Sequence, residues 1–344
     1  MRLSFTALAL LGLLLAGCSK DPLYQRQGKA FERPVTISIW GLPDDQAERH
    51  TDAVLADLQR ISTKLHAWHP SSVTQLNEAF ERGEAIPVDE ELLGLLKQSI
   101  DYEQRSDGLF EPGIGRLVAA WGFHQDTPVT KLPDAVTVAA LLSTHPTLAD
   151  LHFDGSEVSS SNPALALDLD AVATGWALDR SAAYLRKHRV FNALITVGDN
   201  AIALGRNGSV QWKVSIRHPR KATEMATVLL QSGEAVALAG DFQRYFMVGN
   251  KRYSRLIDPH SGAPAQTMQA ALVITPPTLE AAAIAAAATQ PVFIGGIDNA
   301  LGYARRFGAG EVLLIANDGD AYSTPGLQAR LKWLAAPTHL YRLR

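Results

Sequence analysis

The stretch SDGLFEPGIGRLVAAWGF, residues 106–123, brings four glycines together with an apolar and aromatic run. Gly113 and Gly115 begin like a dinucleotide-binding fingerprint, but Val118 stands at the third glycine position and no strand pattern precedes them. That fingerprint requires a strand, a glycine turn and a helix in order. We therefore reject a dinucleotide-binding unit here and predict a loop that leads into a short helix.

Strand patterns surround this loop on both sides. Residues 35–40 (VTISIW) alternate and are rich in β-branched side chains, which predicts a strand. The dipeptide GN at 249–250 separates FQRYFMV from RYSRLID and predicts a hairpin. Further strands are predicted at residues 151–153, 157–160, 193–197, 201–204, 212–216, 226–230, 235–238, 271–274 and 312–315. Many strands around few helices predict a single α+β domain with mixed or antiparallel sheets.

Apolar residues at helical spacing predict helices at residues 44–65, 89–105 and 299–306. A short helix is expected within a surface excursion at 128–146, and residues 165–188 are interpreted as a strand that enters a helix. The segment LEAAAIAAAA, residues 279–288, predicts another helix, because alanine has the highest intrinsic helix propensity. After the strand at 312–315 we expect only a short tail.

Composition describes a folded protein with a sizeable core. The chain has 344 residues, of which 47% are hydrophobic and 19% charged, and its formal net charge is −3. It contains no long run of basic residues of the kind that binds nucleic acid. We therefore expect no nucleic-acid partner.

The N-terminus has the pattern of a bacterial lipoprotein signal. Arg2 precedes an apolar run, Phe5–Gly17, and the single cysteine, Cys18, follows directly in the lipobox-like LAGC. We predict a signal peptide at 1–17, an acylated Cys18 with a polar tether at 18–33, and one domain at 34–344. Ser19 favours the outer membrane over inner-membrane retention, so we expect a lipid-anchored protein on the periplasmic side. With one cysteine, no internal disulfide forms.

Two polar pairs are candidate site residues. His66 and His69 could share one helix face and bind a metal, although two histidines without a nearby carboxylate are more commonly surface residues. Asp168 and Asp170 alternate along an extended segment, so both side chains should lie on one face. They suit either a polar pocket or a helix cap at Asp170.

Five segments in order resemble the FAD:protein FMN transferase family, also called ApbE. WHPSSVTQLN (68–77) is similar to the family's tyrosine-proline-serine segment, and residues 106–123 resemble its SDGAFDPTVGPLVNLWGF. LDLDAVATGWALD (167–179) resembles LDLGAIAKGYAVD, and ITVGDNAIALG (195–205) resembles NIGGDIRALG. Residues 240–264 are similar to the segment that ends in IIDPRTGKP. The likeness covers nearly the whole chain from Val35 onward.

The resemblance implies a T-fold-related domain with a flavin cleft, which binds FAD and Mg²⁺ and transfers FMN to a threonine or serine hydroxyl of a target flavoprotein. The family's flavin-binding positions correspond to Trp68, Leu109, Phe110, Glu111, Asp168 and Leu256. Ala171 stands where a backbone carbonyl faces the metal in the family.

This chain departs from the family at the positions that carry the chemistry. Thr174 replaces a lysine that could approach the FAD phosphates, and Arg255 replaces a histidine. The guanidinium group stays protonated near neutral pH and so cannot act as a base. Ala282 and Ala286 replace an aspartate and a threonine that are metal ligands in the family. The family's early MGT segment has no counterpart, and LAG (Leu238–Gly240) stands in place of its TSG segment, which removes two hydroxyls.

These departures make Mg²⁺ binding doubtful and lead to three hypotheses. The first is an active flavin transferase that uses the remaining oxygens of Asp168, Asp258 and the Ala171 carbonyl to hold a metal. The substitutions favour activity that is weak or lost. The alternative is a catalytically inert flavin-binding or scaffold lipoprotein of the same fold. The third is a periplasmic interaction module that needs no flavin.

Overall fold

The computed structural model describes residues 22–130 and 132–343. The predicted signal peptide, Cys18 and Ser19 lie outside this range. Within it the helices are α1 (Asp44–Lys64), α2 (Ser72–Arg82), α3 (Glu90–Arg105), α4 (Gly115–Ala120), α5 (Ala135–Ser143), α6 (Asp170–Lys187), α7 (Ala281–Arg306) and α8 (Pro325–Arg330). A 3₁₀ turn spans Leu148–Asp150.

The strands, in chain order, are β1 (Leu23–Ala30), β2 (Arg33–Trp40), β3 (Ile86–Pro87), β4 (Leu151–Asp154), β5 (Glu157–Ser160), β6 (Ala193–Val197), β7 (Asn200–Leu204), β8 (Trp212–Arg217), β9 (Glu224–Leu230), β10 (Ala235–Gly240), β11 (Tyr245–Val248), β12 (Lys251–Ser254), β13 (Ile257–Asp258), β14 (Ala263–Pro264), β15 (Met268–Thr275), β16 (Glu311–Ala316), β17 (Ala321–Ser323), β18 (Leu331–Trp333) and β19 (Leu340–Arg342).

A nine-stranded sheet organises the domain. Its order is β1-β2-β6-β7-β10-β15-β16-β17-β19, and all neighbours are antiparallel except β17 and β19. One face packs against α1, α6 and α7, and the other packs against the three-stranded sheet β18-β9-β8. Alternate residues of one strand serve the two cores: Val273 faces the helices, whereas Leu272 and Ile274 face the small sheet. This confirms the α+β prediction.

The alanine-rich start of α7 is a core helix that lies unusually close to α6. Seven of its alanines, at 281–283 and 285–288, are buried. A Cβ atom added to Gly175 of α6 would lie 2.2 Å from the Ala282 carbonyl oxygen and 2.8 Å from the Ala286 Cβ. Helices approach this closely only where both present small side chains. The run therefore has a packing role in addition to any role at the site.

The described part of α7 is long and apolar enough to span a membrane by composition, but two thirds of that window is buried in the domain. We assign it to the core. Gly296, at φ 63°, interrupts the helical conformation, which agrees with the predicted second helical segment at 299–306. That conformation lies in the left-handed region that glycine tolerates best.

The predicted tether at 18–33 is wrong in its second half, because Leu23–Ala30 forms the edge strand β1, paired along its whole length with β2. An edge strand that is largely exposed carries polar residues and shows little alternation. The turn to β2 consists of Phe31 and Glu32, both at positive φ. Hairpins of this type usually contain Asn-Gly or Gly-Gly, so the usual turn signal is missing.

Three other predictions differ from the structure. Residues 165–169 are not a strand and form a single bridge between Ala166 and Ile114. Helix α2, which starts with a capping box between Ser71 and Thr74, was not predicted. The C-terminal tail is longer than expected, because β17, α8, β18 and β19 complete both sheets. These short elements gain their stability from pairing with distant strands, which periodicity does not reveal.

Candidate functional site

A cavity of about 440 Å³ lies at the end of the main sheet where β2 begins and β10 ends. The first turn of α6, the β6–β7 turn and the middle of α7 complete its wall. Nine of the residues singled out from the sequence line it: His66, Trp68, Glu111, Asp168, Asp170, Ala171, Arg255, Leu256 and Ala286. The structure thus brings together positions that are up to 220 residues apart in the chain.

Four positions carried over from the family resemblance do not line the cavity. Phe110 is fully buried in the main core, and Leu109 is 6% exposed. Ala282 packs against α6 rather than facing the cavity. Thr174 lies one layer behind the wall, where it contacts Arg33. For Phe110 and Leu109 the resemblance identified the correct loop, but their side chains support the loop from inside.

The floor of the cavity is a buried cluster of two carboxylates and two guanidinium groups. Arg255 donates through Nη2 to both oxygens of Asp168, at 2.6 Å and 2.5 Å, and through Nη1 to Asp170 Oδ2. Arg33 Nη2 donates to the same Asp170 oxygen at 2.9 Å. The side chain of Asp168 is 5% exposed and that of Arg255 17% exposed. Asp168 is therefore engaged at both oxygens.

Charge in this cluster keeps both acids ionised. Burial by itself would raise the pKa of Asp168, but the nearby Arg255 charge and a hydrogen bond with His124 hold that pKa well below its ordinary value. Burial opposes ionisation of Asp170 too, and Arg33 and Arg255 lower its pKa. The same carboxylates raise the pKa of Arg255 above its usual value despite burial. Arg255 is a permanent cation at this site.

Arg33 connects the carboxylate cluster to the Thr174 position. Its Nη1 donates to Thr174 Oγ1 at 2.8 Å while its Nη2 binds Asp170. A cation therefore lies beside the position where the family has a lysine, although it comes from a different strand. Arg33 is one third exposed, so its guanidinium is accessible from the cavity.

An aromatic wall stands beside the cluster. The Trp68 indole stacks on the His124 ring with centroids 5.4 Å apart, and the Arg244 guanidinium lies 4.7 Å from the indole centroid. His124 Nε2 in turn lies 2.9 Å from Asp168 Oδ2. The indole Nε1 is buried and makes no hydrogen bond within the part of the chain that the structure describes. It is a donor available to a ligand.

Glu111, which also lines the cavity, is a buried carboxyl whose pKa is raised. Burial raises its pKa well above the ordinary value, and a hydrogen bond with Glu103 raises it further. Its Oε1 accepts a hydrogen bond from the Gly113 backbone at 2.6 Å. Two buried carboxyl groups in contact share a proton more readily than they both ionise. The Glu111 carboxyl is therefore easier to protonate than that of an exposed glutamate.

The structure does not place His66 and His69 as the metal hypothesis requires. His66 and His69 follow the end of α1 and do not lie on a helix. His66 Nδ1 accepts a hydrogen bond from the His69 backbone at 3.1 Å, and His69 Nε2 lies 3.0 Å from Asp126. Both rings thus have other hydrogen-bonding partners.

The helix-cap hypothesis for Asp170 is wrong. The N-cap residue of α6 is Leu169, which makes no side-chain cap, and Asp168 Oδ1 instead accepts a hydrogen bond from the Asp170 backbone at 3.2 Å. The polar-pocket alternative fits the structure, because both aspartates line the cavity.

The donor set does not fit a Mg²⁺ cage. Mg²⁺ requires several hard oxygen ligands in near-octahedral geometry, but Ala282 and Ala286 present only methyl groups. Asp258 accepts hydrogen bonds from His260 and Ser261 in its own turn and does not line the cavity. Over residues 22–130 and 132–343, no three His, Cys, Asp or Glu side chains cluster as a metal site would require.

Three residues of the site were missed from the sequence: Arg33 and Arg244, which line the cavity, and His124, which contacts Asp168 beside it. Arg33 was assigned to the tether. His124 and Arg244 lie within or beside segments that were recognised, WGFH and GDFQRYF, without being singled out. Each acts through contacts with residues at least 44 positions away, so local pattern carried no signal for their roles.

The fold and the cavity define an α+β domain with a nucleotide-sized cleft that combines an aromatic wall with guanidinium groups. Comparison with known proteins identifies the family of this domain. The ApbE family profile matches residues 31–314, and this chain belongs to the ApbE family.

Its relatives include flavin transferases from several bacteria. An FAD:protein FMN transferase of Rhodobacter capsulatus is 35% identical over 333 residues, which cover 95% of this chain but only 63% of the relative. An FAD:protein FMN transferase of Escherichia coli K12 is 25% identical over 94% of this chain and 96% of its own. The crystal structure of the ApbE protein of Thermotoga maritima is similar with a TM-score of 0.81 and 26% identity, covering 90% of this chain and 99% of that one.

Proposed function

We propose that this protein binds FAD in the cavity and that its transfer of FMN to a target flavoprotein is weak or absent. Membership of the ApbE family and the names of its relatives support the flavin class. The position of Arg255 between Asp168 and Asp170 is the observation that carries the second half of the proposal. The first half concerns affinity and the second concerns chemistry, so the two are tested separately.

The cavity offers suitable contacts for a dinucleotide. Its volume falls within the range of small-molecule sites, roughly 300–1,000 Å³. Trp68 supplies aromatic surface and one unused N–H donor. Arg33 supplies a partly exposed guanidinium, a group that binds phosphate through two parallel hydrogen bonds. We expect the flavin ring near Trp68 and the phosphates near Arg33.

FMN transfer needs a group that takes a proton. The hydroxyl oxygen of the acceptor threonine or serine forms a P–O bond to the flavin-side phosphate, and the bond from that phosphate to the bridging oxygen breaks. AMP leaves with the bridging oxygen, and the hydroxyl proton must go to a base. Arg255, at the family's histidine position, is fixed in its protonated form. Asp168 and Asp170 are poor bases because their pKa values are lowered.

Arginine side chains rather than a divalent cation supply the positive charge in the cleft. Arg255 and Arg33 neutralise the two aspartates that would otherwise attract a divalent cation. Ala286 lines the wall with a methyl group. We therefore propose that flavin binding here is independent of Mg²⁺. Loss of a positioned general base alone typically costs about 10²–10⁴ in rate.

The test compares the purified full-length protein with the E. coli FAD:protein FMN transferase under identical conditions. Each is incubated with FAD, Mg²⁺ and a flavoprotein domain that carries an acceptor threonine, and covalent flavin is measured by in-gel fluorescence. We expect the rate for this protein to be at least about 100-fold lower. A comparable rate would refute the chemical half of the proposal.

Affinity is measured separately by calorimetry with FAD in Mg²⁺ or in EDTA. We expect binding with the same dissociation constant in both, and a loss of at least about tenfold in Trp68→Ala, because base–aromatic contacts are worth about 1–3 kcal/mol. Lys213→Ala, on the exposed side of β8, is the matched control and leaves affinity unchanged. Absence of FAD binding would refute the first half and favour the interaction module.

A combined variant tests whether the substitutions explain the loss. Arg255→His restores a titratable group and releases Asp168, while Ala286→Thr restores an oxygen at the cavity wall. We expect the double variant to gain measurable Mg²⁺ affinity and covalent transfer. If both remain absent although FAD still binds, the inert flavin-binding alternative is favoured, with the catalytic deficit located elsewhere in the cleft.

The cellular setting is proposed from the sequence. We propose that Cys18 is acylated after removal of residues 1–17 and anchors the protein on the periplasmic side of a membrane. Ser19 supports the outer membrane. Mass spectrometry of the purified protein tests this directly: a mature chain that begins at Cys18 with acyl mass supports it, and an intact N-terminus or an unmodified thiol refutes it.

A further inference from the structure

We propose that the end of the main sheet opposite the cavity is a lipid-facing surface, which rests on an anionic membrane and holds the cavity away from it. We call this end the distal face. It consists of Pro22, the end of α6 with the loop that follows it, the β7–β8 connection and the β15–α7 loop.

Hydrogen bonds and close contacts join these segments into one continuous surface. The Gly41 backbone donates to the Pro22 carbonyl at 2.9 Å, and the Trp40 backbone donates to the Asn192 carbonyl at 2.9 Å. Arg206 N donates to Asn192 Oδ1 at 3.0 Å. Each segment therefore lies against the next, beginning at the first described residue.

The chain continues along the same end of the sheet towards α7. The Gly205 backbone donates to Ser232 Oγ at 2.8 Å. Gly233, next to Ser232, lies against Pro277, since a Cβ atom added there would be 2.8 Å from the Pro277 Cβ. Leu279 follows two residues later. All of these positions lie beyond the strand ends opposite Arg33 and Gly240.

The distal face carries large exposed apolar side chains beside exposed cations. Leu279 is 84% exposed, Phe191 60% and Val210 56%. Lys187, Arg189 and Arg206 are exposed in the same segments. Apolar groups that insert among lipid headgroups, together with lysine or arginine that meets anionic lipid, are the two components of a peripheral membrane surface.

The backbone conformation of Arg189 is a second unusual feature of the loop that follows α6. It follows the end of α6 at φ 61°, in the left-handed region where helices usually place glycine. A non-glycine residue is disfavoured in that conformation. The chain keeps a cation here, two residues before the exposed Phe191.

The position of the N-terminus identifies lipid as the occupant. Cys18 precedes Pro22 by four residues, which reach at most about 14 Å when fully extended. The acyl chains proposed at Cys18 therefore keep the distal face close to the bilayer. Strand β2 has eight residues and is about 26 Å long, so the cavity at its other end is held that much further from the membrane.

The surface around the cavity is the alternative candidate for contact with the membrane. The hairpin β11–β12 also exposes apolar side chains, with Met247 at 40% and Tyr245 at 38%. Tyr245 lines the cavity, so this hairpin is the natural reference for a surface that is not on the membrane. If the proposal is wrong, Met247 rather than Leu279 contacts lipid.

The test measures depth in the membrane. Full-length protein is reconstituted into vesicles of phosphatidylglycerol and phosphatidylethanolamine that contain a nitroxide-labelled headgroup lipid. Phe191→Cys, Leu279→Cys and Met247→Cys each carry an environment-sensitive fluorophore. Cys18 is the only native cysteine. Wild-type protein is therefore treated with the same thiol-reactive fluorophore, and absence of labelling shows that the Cys18 thiol is blocked.

We expect nitroxide quenching at 191 and 279 to be at least about threefold stronger than at 247, because apolar side chains of a peripheral surface lie about 5–10 Å into the headgroup region. Equal quenching at all three sites, stronger quenching at 247, or no quenching at any site overturns the proposal. The last result would favour a protein partner for the distal face.

Charge reversal provides a second measurement. We expect the triple variant Lys187→Glu, Arg189→Glu, Arg206→Glu to reduce quenching at 279 at least about twofold, since each cation near an anionic surface contributes favourably. The control reverses Lys213, Lys251 and Lys332, which are exposed elsewhere, and leaves quenching unchanged. Circular dichroism verifies that both variants fold. Equal effects in the two variants overturn the role of the distal cations.

Discussion

Replacing Arg255 with methionine tests whether the buried cluster is an ion pair that the fold depends on. The variant keeps side-chain length and apolar bulk but removes the guanidinium. Asp168, 5% exposed, then retains His124 as a side-chain partner, while Asp170 retains Arg33. Breaking one side of a buried pair typically costs about 3–5 kcal/mol. Because Asp170 keeps a partner, we expect a loss of about 3 kcal/mol at pH 7.

The sign of the pH dependence follows from the lowered pKa of Asp168. A carboxylate with a lowered folded-state pKa adds stability above its ordinary pKa, about 3.9, and loses that contribution as pH falls through the folded-state value. In Arg255→Met the unpaired carboxylate is relieved by protonation. The deficit relative to wild type should therefore shrink at about pH 4.

Urea unfolding monitored by circular dichroism measures the free energy of unfolding of wild type and variant at pH 7 and at about pH 4. The matched control is Arg252→Met: Arg252 binds Asp241 at 3.2 Å, but Arg220 binds that carboxylate through two bonds of 2.7 Å and remains. We expect a cost of at most about 1 kcal/mol there. Equal losses in the two variants, or a deficit in Arg255→Met that does not change with pH, would refute the reasoning.

Gly175→Ala tests the packing of α6 against α7, and we expect it to cost about 1–3 kcal/mol, because the new Cβ would meet the Ala282 carbonyl and the Ala286 methyl. The control Gly94→Ala has open space around it and should be neutral or stabilising by up to about 1 kcal/mol. Thermal unfolding measures both variants, and equal shifts in melting temperature would contradict the close approach of the two helices. Burial raises the pKa of Asp179 to about 7 although two backbone N–H groups at the start of α7 donate to it. Since its unfolded-state pKa is near 4, stability from this group falls as pH rises from about 4 to about 7, by up to about 4 kcal/mol. Asp179→Asn should remove that slope from the urea unfolding free energy, and parallel pH curves for wild type and variant would contradict it.

Local pattern predicted much of the scaffold correctly. Strands such as β6 and β7 alternate between the two faces of the sheet, and the GN turn closes the β11–β12 hairpin. Helix α1 has one apolar face towards the sheet. Pattern did not reveal β1, because a polar edge strand has one partner and little buried surface. Its turn at Phe31–Glu32 also lacks the residues that usually mark a hairpin.

The candidate site was identified through segments rather than through side-chain direction. Residues 106–123 were recognised as a site loop, yet within it Glu111 faces the cavity and Phe110 faces the core. Neighbouring residues in an irregular loop have no fixed period. The direction of each side chain is therefore decided by what packs around it, and the sequence carries no local rule for it.

By itself, the sequence determined the α+β class and the ApbE resemblance, and it predicted a lipid anchor at Cys18 and missing oxygen ligands at Ala282 and Ala286. Only the tertiary structure decided what took their place. Arg255 and Arg33 lie 85 and 137 residues from Asp170, and the pairing of these charges exists only once the sheet and α6 have come together. Residue identity fixes what a side chain can donate or accept, whereas the fold decides which distant group it meets.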